Sequence, residues 1–268
     1  VTILVTGSDG FIGKALSTKL DFVPLDSKRG TRVEWSKPFL EYLKPEVIIH
    51  LASHSTVKQT IKAPSEAAEN IITNTVRLIE WAKPKHFIYF SSSMVYGNFE
   101  DGVKEYDIPQ PTNLYGLYKL AAEEAIRLSK INYTIIRPSA VYGRNDNQDR
   151  VIPKFIKNAI ENKPLTVDGN NKADFTHVND VVEGILKIIN NPKCFKKTYN
   201  MTFGAGIYIK YVAKLIKEMT GSKSEIIINK GNSNYPSRGA LDNSKIFEDT
   251  GWSAKTNIEN GLKKLIRN

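Results

Sequence analysis

Sulfur and histidine are scarce. A single cysteine, Cys194, in 268 residues excludes an internal disulfide framework and fits a reducing compartment. Four scattered histidines, His50, His54, His86 and His177, give no zinc-ligand spacing with it, so no metal centre is expected. No apolar stretch approaches the roughly 20 residues of a membrane span. No basic segment followed by an apolar core and a small-residue cleavage site opens the sequence. The expectation is therefore a cytoplasmic protein without membrane contact. Acids are also in deficit, 28 against 38 lysines and arginines, for a formal net charge of +10. Such a balance suits phosphorylated small molecules, anionic lipid or nucleic acid. The basic residues are dispersed, however, and Lys196-Lys197 and Lys263-Lys264 are pairs rather than tracts. Dispersed charge reads as a solvated surface, which argues against nucleic acid as a partner.

What is present is a regular alternation. Short β-rich runs at 2–5, 22–25, 47–50, 87–90 and 133–136 are separated by helical-period segments at 11–20, 38–43, 64–82 and 114–129. That order predicts crossover units and a doubly wound parallel sheet of Rossmann type, α/β in class. Beyond Pro138 the pattern loosens. Helices are expected at 152–161, 178–189, 209–219, 244–250 and 258–266, short strands at 165–167 and 175–177, and breakers at 204–206 and 231–239. The expected division is a dinucleotide-binding domain over 1–165, completed by about 178–200. A smaller substrate-binding lobe takes 201–268 plus about 138–177, over the sheet edge where ligands bind in open α/β folds.

The segment "TGSDGFIG" (6–13) places Gly7, Gly10 and Gly13 at intervals of three, between the first strand and the first helix. Glycines there permit the turn and let backbone N–H groups approach a pyrophosphate. Asp9, Phe11 and Ile12 belong to the same loop. The acidic partner of such a loop is expected about 20 residues on. Asp26 meets that spacing, and its carboxylate suits an adenosine ribose, which favours NAD. Ser27 adjoins it, and Lys28 and Arg29 keep NADP open, because cations there suit a 2′-phosphate.

"YGLYK" (115–119) sets Tyr115 and Lys119 on one helical face, after the turn-forming "PQPTN" and about 20 residues beyond a strand ending in "SSS". With these residues the chain resembles the extended short-chain dehydrogenase/reductases, the NAD(P)-dependent epimerases and dehydratases of nucleotide sugars. Further motifs carry the resemblance in order: "VIIHLAS" (47–53), "FSSSMVYG" (90–97), "IIRPSAVYG" (135–143) and "FTHVNDVV" (175–182). It implies cofactor contacts from Glu34 and Trp35, from Leu51, Ala52 and Ser53, from Asn70, and from Pro138 and Ser139, beside those of the glycine loop and of Tyr115 and Lys119. It implies Tyr115 as general acid/base and Ser92 as the group orienting the reacting oxygen. Lys119 then lowers the phenol's pKa and holds the nicotinamide ribose. A free tyrosine near pKa 10 is a poor base at neutral pH, so a neighbouring ammonium is what the chemistry requires.

Two departures narrow the reaction. Where the family's 4,6-dehydratases carry an Asp-Glu pair that eliminates water, this chain has Ser93 and Met94. Where many members carry a phosphate-binding arginine before "DFTHV", it has Ala173. Arg238, in "YPSRGALD", and Arg150, with help from Lys154, remain for a diphosphate, and Ser92, Ser93, Met94 and Tyr115 complete the expected substrate contacts. The leading expectation is an NAD-dependent UDP-sugar 4-epimerase working through a transient keto intermediate. The alternatives are an NADP(H)-dependent reductase of a keto-sugar or other small molecule, and a non-catalytic dinucleotide-sensing or RNA-binding relative. A homodimer is implied by the family's pairing of the helices at 64–82 and 114–129. His177 is read as structural and Cys194 as an incidental loop residue.

Overall fold

A computed structural model describes residues 1–54, 56–230 and 238–267. The first half alternates strand and helix. In chain order these are β1 (Ile3–Thr6), α1 (Phe11–Leu16), β2 (Val23–Leu25), α2 (Lys37–Leu43), β3 (Val47–His50), α3 (Val57–Lys62) and α4 (Pro64–Ala68). α5 (Asn74–Ala82), β4 (His86–Phe90), α6 (Leu114–Leu128) and β5 (Tyr133–Arg137) follow. β1, β3 and β4 are buried at every position. Helices cover both faces of a parallel sheet, so its strands read as unbroken apolar runs. Alternate residues feed two cores. Ile3, Val5 and Ile49 pack with Ile88 on one face, and Leu4, Ile48, Phe87 and Tyr89 pack on the other.

The second half supplies β6 (Ala140–Tyr142), α7 (Val151–Ile160), β7 (Leu165–Asp168), β8 (Lys172–His177), α8 (Val178–Ile188) and β9 (Lys197–Asn200). β10 (Gly206–Tyr208), α9 (Ile209–Thr220), β11 (Ile226–Asn229), α10 (Ser244–Thr250) and α11 (Ile258–Ile266) complete it. β9 returns to the first sheet beside β5, giving the all-parallel order β2-β1-β3-β4-β5-β9. The chain leaves β1 for β2 on one side and resumes at β3 on the other. A reversal of this kind opens a ligand crevice beyond the carboxyl ends of those strands. β6, β8 and β10 form a second sheet, β7 pairs with β11, and α7, α9 and α11 enclose Phe155, Val212, Ile216 and Leu262 against them.

Some expectations are corrected. The first helix ends at Leu16 rather than at residue 20. Ser17 and Thr18 turn their hydroxyls onto the carbonyls of Lys14 (2.9 Å) and Ala15 (2.8 Å), an alternative to continuing the helix. The helix expected at 64–82 is interrupted by a π turn, Glu69–Thr73, which accommodates an extra residue between α4 and α5. Cys194 is fully buried in one core cluster with Tyr199 and Ile246, rather than an incidental loop residue. β6, β9, β10, β11 and α3 were not anticipated. Residues 231–237 of the expected breaker segment lie outside the described residues. Among the described residues no helix is long and apolar enough to cross a membrane.

Candidate active site

Five strand ends converge on one edge of the sheet. The glycine loop follows β1, Asp26 follows β2, Leu51-Ala52-Ser53 follows β3, the three serines follow β4, and Pro138-Ser139 follows β5. Gly7 takes φ 69°, and a Cβ there would lie 2.6 Å from the Ala52 nitrogen. A Cβ on Gly13 would lie 2.5 Å from the carbonyl oxygens of both Gly7 and Ser8. The glycines therefore seat the turn tightly against β3 and α1. Gly10 caps α1 without a side-chain acceptor. The first N–H groups of a helix have no partner within it, and Phe11 and Ile12 stand at this helix start. The Ser8 hydroxyl is buried and has no partner.

The end of β2 is a charged cluster. Asp26 is 6% exposed and accepts the N–H groups of Asp9 (2.8 Å) and Lys28 (2.9 Å). Ser27 opens the short 3-10 turn that Asp26 caps. Arg29, which the sequence leaves open as a site for a 2′-phosphate, instead holds the Asp9 carboxylate through two bonds of 2.8 Å. That pairing lowers the Asp9 pKa and raises the Arg29 pKa. Glu34 accepts from Asn74 (3.5 Å) and pairs with Arg32 (3.6 Å), while Trp35 is largely exposed beneath the Arg32 guanidinium. The Ala52 N–H reaches the Thr6 hydroxyl (3.2 Å), and the Ser53 hydroxyl donates to the His54 carbonyl (2.7 Å). Asn70 lies in the π turn and donates to the Glu66 carbonyl (2.9 Å).

The serines after β4 point three ways. Ser91 donates to Glu123 beneath the site. Ser92 accepts the Met94 N–H (3.2 Å), which fixes its hydroxyl, and lies within hydrogen-bonding reach of Tyr115. Ser93 is fully buried with its hydroxyl unpartnered, and its N–H binds the Pro138 carbonyl (2.8 Å). Ser139 also has a buried, unpartnered hydroxyl. Tyr115 reaches this turn because α6 starts close behind it. Asn113 caps the helix through the Gly116 N–H (2.9 Å), and a Cβ on Gly116 would lie 2.3 Å from the Met94 carbonyl oxygen.

Lys119 lies one turn further along α6, 3% exposed, and donates to the Phe90 carbonyl at 2.6 Å. Its Nζ stands 4.8 Å from the Tyr89 ring centroid and 6.0 Å from that of Tyr115. Burial pushes the ammonium down to about 7, opposed by the charge of Glu123. The expected lowering of the Tyr115 pKa by Lys119 is not found. Burial pushes the phenol up, and what opposes it is the Ser92 hydrogen bond and the charge of Arg150. Burial has weakened the Lys119 charge, and the ammonium is turned to a carbonyl rather than to the phenol.

Glu123 was missed by sequence reasoning. It is fully buried and accepts from Arg137 Nε (3.0 Å) and Nη2 (2.6 Å) and from Arg127 (2.8 Å). Burial alone would push its carboxyl up, but the Arg137 bonds hold it below the usual range. Arg137 continues to Tyr96 (2.8 Å), and Tyr96 to Asn200 on β9 (2.8 Å). Its signal in the sequence was an acid four residues after Lys119.

Above this floor, Arg150 caps α7, binds the Val141 carbonyl (3.1 Å) and pairs with Asp146 (3.3 Å). Arg238 pairs by main chain with Phe99, just past the serine turn. Tyr235, Pro236 and Ser237 of "YPSRGALD" lie outside the described residues. Ala173 is buried in one core cluster with Phe155, Val212 and Leu262. His177 is structural, capping α8 by accepting the Asn179 N–H (3.2 Å).

A crevice between a glycine loop and a Ser-Tyr-Lys set, at the carboxyl edge of a parallel sheet, defines an enzyme of the extended short-chain dehydrogenase/reductase class. The chain belongs to the NAD dependent epimerase/dehydratase family, whose profile matches residues 3–202. It is 28% identical to the uncharacterized UDP-glucose epimerase YtcB of Bacillus subtilis, over 98% of this chain and 96% of the relative. It superposes with TM-score 0.90 on the UDP-glucose 4-epimerase of Thermotoga maritima solved with UDP-glucose, at 25% identity over 100% of this chain and 98% of the other. The UDP-glucuronic acid 4-epimerase of Bacillus cereus, solved with UDP-glucuronic acid and NAD, has the same fold (TM-score 0.89, 24% identity, 100% and 99% covered).

Proposed function

We propose that the protein is an NAD-dependent nucleotide-sugar epimerase, acting at C4 of a UDP-sugar. One observation carries the reading: Ser92, Tyr115 and Lys119 share the crevice rim with a glycine loop ending beside an acid, while the positions after Ser92 hold no carboxylate. The residues fit a dinucleotide. The helix start at Gly10 lacks a side-chain cap, the Gly7 turn leaves no room for a Cβ, and the hydroxyls of Ser8, Ser93 and Ser139 are buried without partners. The family's description and the carboxylate of Asp26 both favour NAD.

The chemistry NAD supplies when bound is reversible acceptance of hydride from the sugar carbon. Tyr115 removes the proton from the hydroxyl on that carbon and later returns it. Ser92, held by the Met94 N–H, orients the same oxygen. Lys119 has two N–H bonds left after the one to Phe90, and these face the ribose side of the crevice in this reading. Arg150 supplies positive charge near the phenol and toward a diphosphate, with Arg238 as its partner from the lobe. Without an acid at Ser93 or Met94, nothing in the turn removes water from the sugar, so redox at one carbon is the outcome.

The experiment is to incubate the purified protein with UDP-glucose and UDP-galactose, and with the UDP-uronic acids, without added cofactor, following the sugars by NMR. Interconversion supports the epimerase. Turnover of a keto-sugar only with supplied NADPH would establish the reductase instead. We further propose that the enzyme is a homodimer through the outer faces of α5 and α6, where Val76, Leu114, Leu117 and Leu128 are exposed.

A further inference from the structure

Two carboxylates and two cations meet where the glycine loop packs on the end of β2. Both Asp26 oxygens are engaged by main-chain N–H groups, those of Asp9 (2.8 Å) and Lys28 (2.9 Å). Arg29 places Nε on Asp9 Oδ2 and Nη2 on Asp9 Oδ1, each at 2.8 Å. The Lys28 ammonium reaches the Asp9 carbonyl oxygen at 3.3 Å. An arginine beside the acid that ends the second strand is the group that accommodates a 2′-phosphate in dinucleotide sites, and its fork suits the phosphate oxygens. In this chain the fork is filled by a carboxylate from the glycine loop itself. A phosphate at that place would have to displace both bonds and then stand beside two carboxylates. A 2′-hydroxyl makes neither demand.

We infer that Asp9 is a specificity-determining residue, which selects NAD over NADP by holding Arg29 in a fork-to-fork pair. The inference rests on the reading of the glycine loop as a dinucleotide site and adds how that site rejects the phosphate. Lys28-Arg29 alone would invite NADP, and the Asp9 carboxylate withdraws the stronger of the two cations. Asp9 bonds Asp26 through its main-chain N–H and not through its side chain, so replacing that side chain releases Arg29 and leaves the donors to Asp26 in place. The roles of the two acids are thus separable by mutation.

The test is calorimetric titration of the full chain with NAD and with NADP, which needs no turnover. Asp9→Ala is expected to move the affinity ratio toward NADP by about tenfold or more, the worth of charge-assisted hydrogen bonds regained by the phosphate. Arg29→Ala added to Asp9→Ala is expected to abolish that gain. The isosteric Asp9→Asn, which removes the charge and leaves one acceptor oxygen for the two Arg29 donors, is expected to shift the ratio in the same direction and carries the test if the alanine variant does not fold. An unaltered ratio in Asp9→Ala or Asp9→Asn, or a gain that survives loss of Arg29, overturns the inference. Wild-type protein that prefers NADP also overturns it but leaves the dinucleotide reading intact. Wild-type protein that binds neither nucleotide overturns the dinucleotide reading itself.

Discussion

The Lys119 ammonium donates to the Phe90 main-chain carbonyl at 2.6 Å, joining the middle of α6 to the last residue of β4. That bond ties the helix carrying Tyr115 to the strand whose end carries Ser92. It also explains why the lysine can be buried at all, since a charge taken from water needs a hydrogen-bonded partner. The geometry of the candidate site therefore depends on Lys119 as well as its charge does.

Tyr115→Phe is expected to lower turnover of the UDP-sugar about 10²- to 10⁴-fold, the usual worth of a positioned acid/base. NAD affinity should stay near that of the wild type, because the phenol is partnered by Ser92 and not by the glycine loop. Lys119→Met should lower both turnover and NAD affinity. Steady-state rates with calorimetric binding separate the two, and a Tyr115→Phe protein with wild-type turnover would remove Tyr115 from the chemistry.

Glu123→Gln tests the floor of the site. Its carboxylate holds Arg137 in a buried pair (2.6 Å), and removing one member of such a pair costs about 3–5 kcal/mol. Glu123 also opposes the effect of burial on Lys119, which stands at about 7. Without that negative charge the lysine loses its proton at lower pH, so any fall in NAD affinity on the alkaline side should begin earlier. Urea denaturation reads the first effect and binding titrations across pH the second. A stability loss with no shift in the pH profile would limit Glu123 to a structural role.

Leu117→Glu addresses assembly. Leu117 is 48% exposed on α6 with Leu114 and Leu128, a concentration of apolar side chains that water does not favour. If α5 and α6 pair with a second copy, a charge at residue 117 enters the isologous two-fold interface twice and loses its water there. Sedimentation velocity should then change from dimer to monomer. A wild-type protein that sediments as a monomer would refute the proposed dimer outright.

How far the sequence disclosed this arrangement follows from what local pattern can carry. The glycine turn was legible because Gly7 requires φ 69° and contact with β3, demands that only glycine meets. β1, β3 and β4 were legible because full burial leaves unbroken apolar runs. β9 was not: its four residues, Lys-Thr-Tyr-Asn, are polar in composition and buried through partners such as Asn200 with Val103 and Asp242. The π turn at Glu69–Thr73 leaves the apolar spacing of its helix nearly intact, so periodicity alone could not reveal it. Of the candidate site, Ser92, Tyr115 and Lys119 lie together as the resemblance implied. The pairings of Asp9 with Arg29 and of Glu123 with Arg137 join different elements, and no local pattern encodes them.

Acid stability should be governed in part by two buried histidines. The Thr75 hydroxyl donates to the Ile71 carbonyl (2.7 Å), so it accepts the N–H of His50 Nε2 (3.0 Å), and Nδ1 accepts from Thr6 (2.6 Å). Both ring nitrogens of neutral His50 are satisfied, and burial lowers its pKa to about 3. His86 donates Nε2–H to Thr134 (2.8 Å), whose hydroxyl is committed to the Cys194 carbonyl, and burial lowers it to about 4. Each is neutral when folded and takes a proton near pH 6.5 when unfolded. Their stabilising contributions are complete above pH 6.5 and are lost as pH falls toward 4 and 3. The slope approaches about 1.4 kcal/mol per pH unit for each histidine. Asp174, raised by burial to about 6, works in the opposite direction between pH 6 and 3.8 and offsets one of them. His50→Gln keeps a donor and an acceptor but cannot titrate. Its stability deficit against wild type, from urea unfolding, should therefore shrink steadily from pH 6.5 to 4.5. A deficit that holds constant over that range would mean that His50 does not stay neutral in the fold.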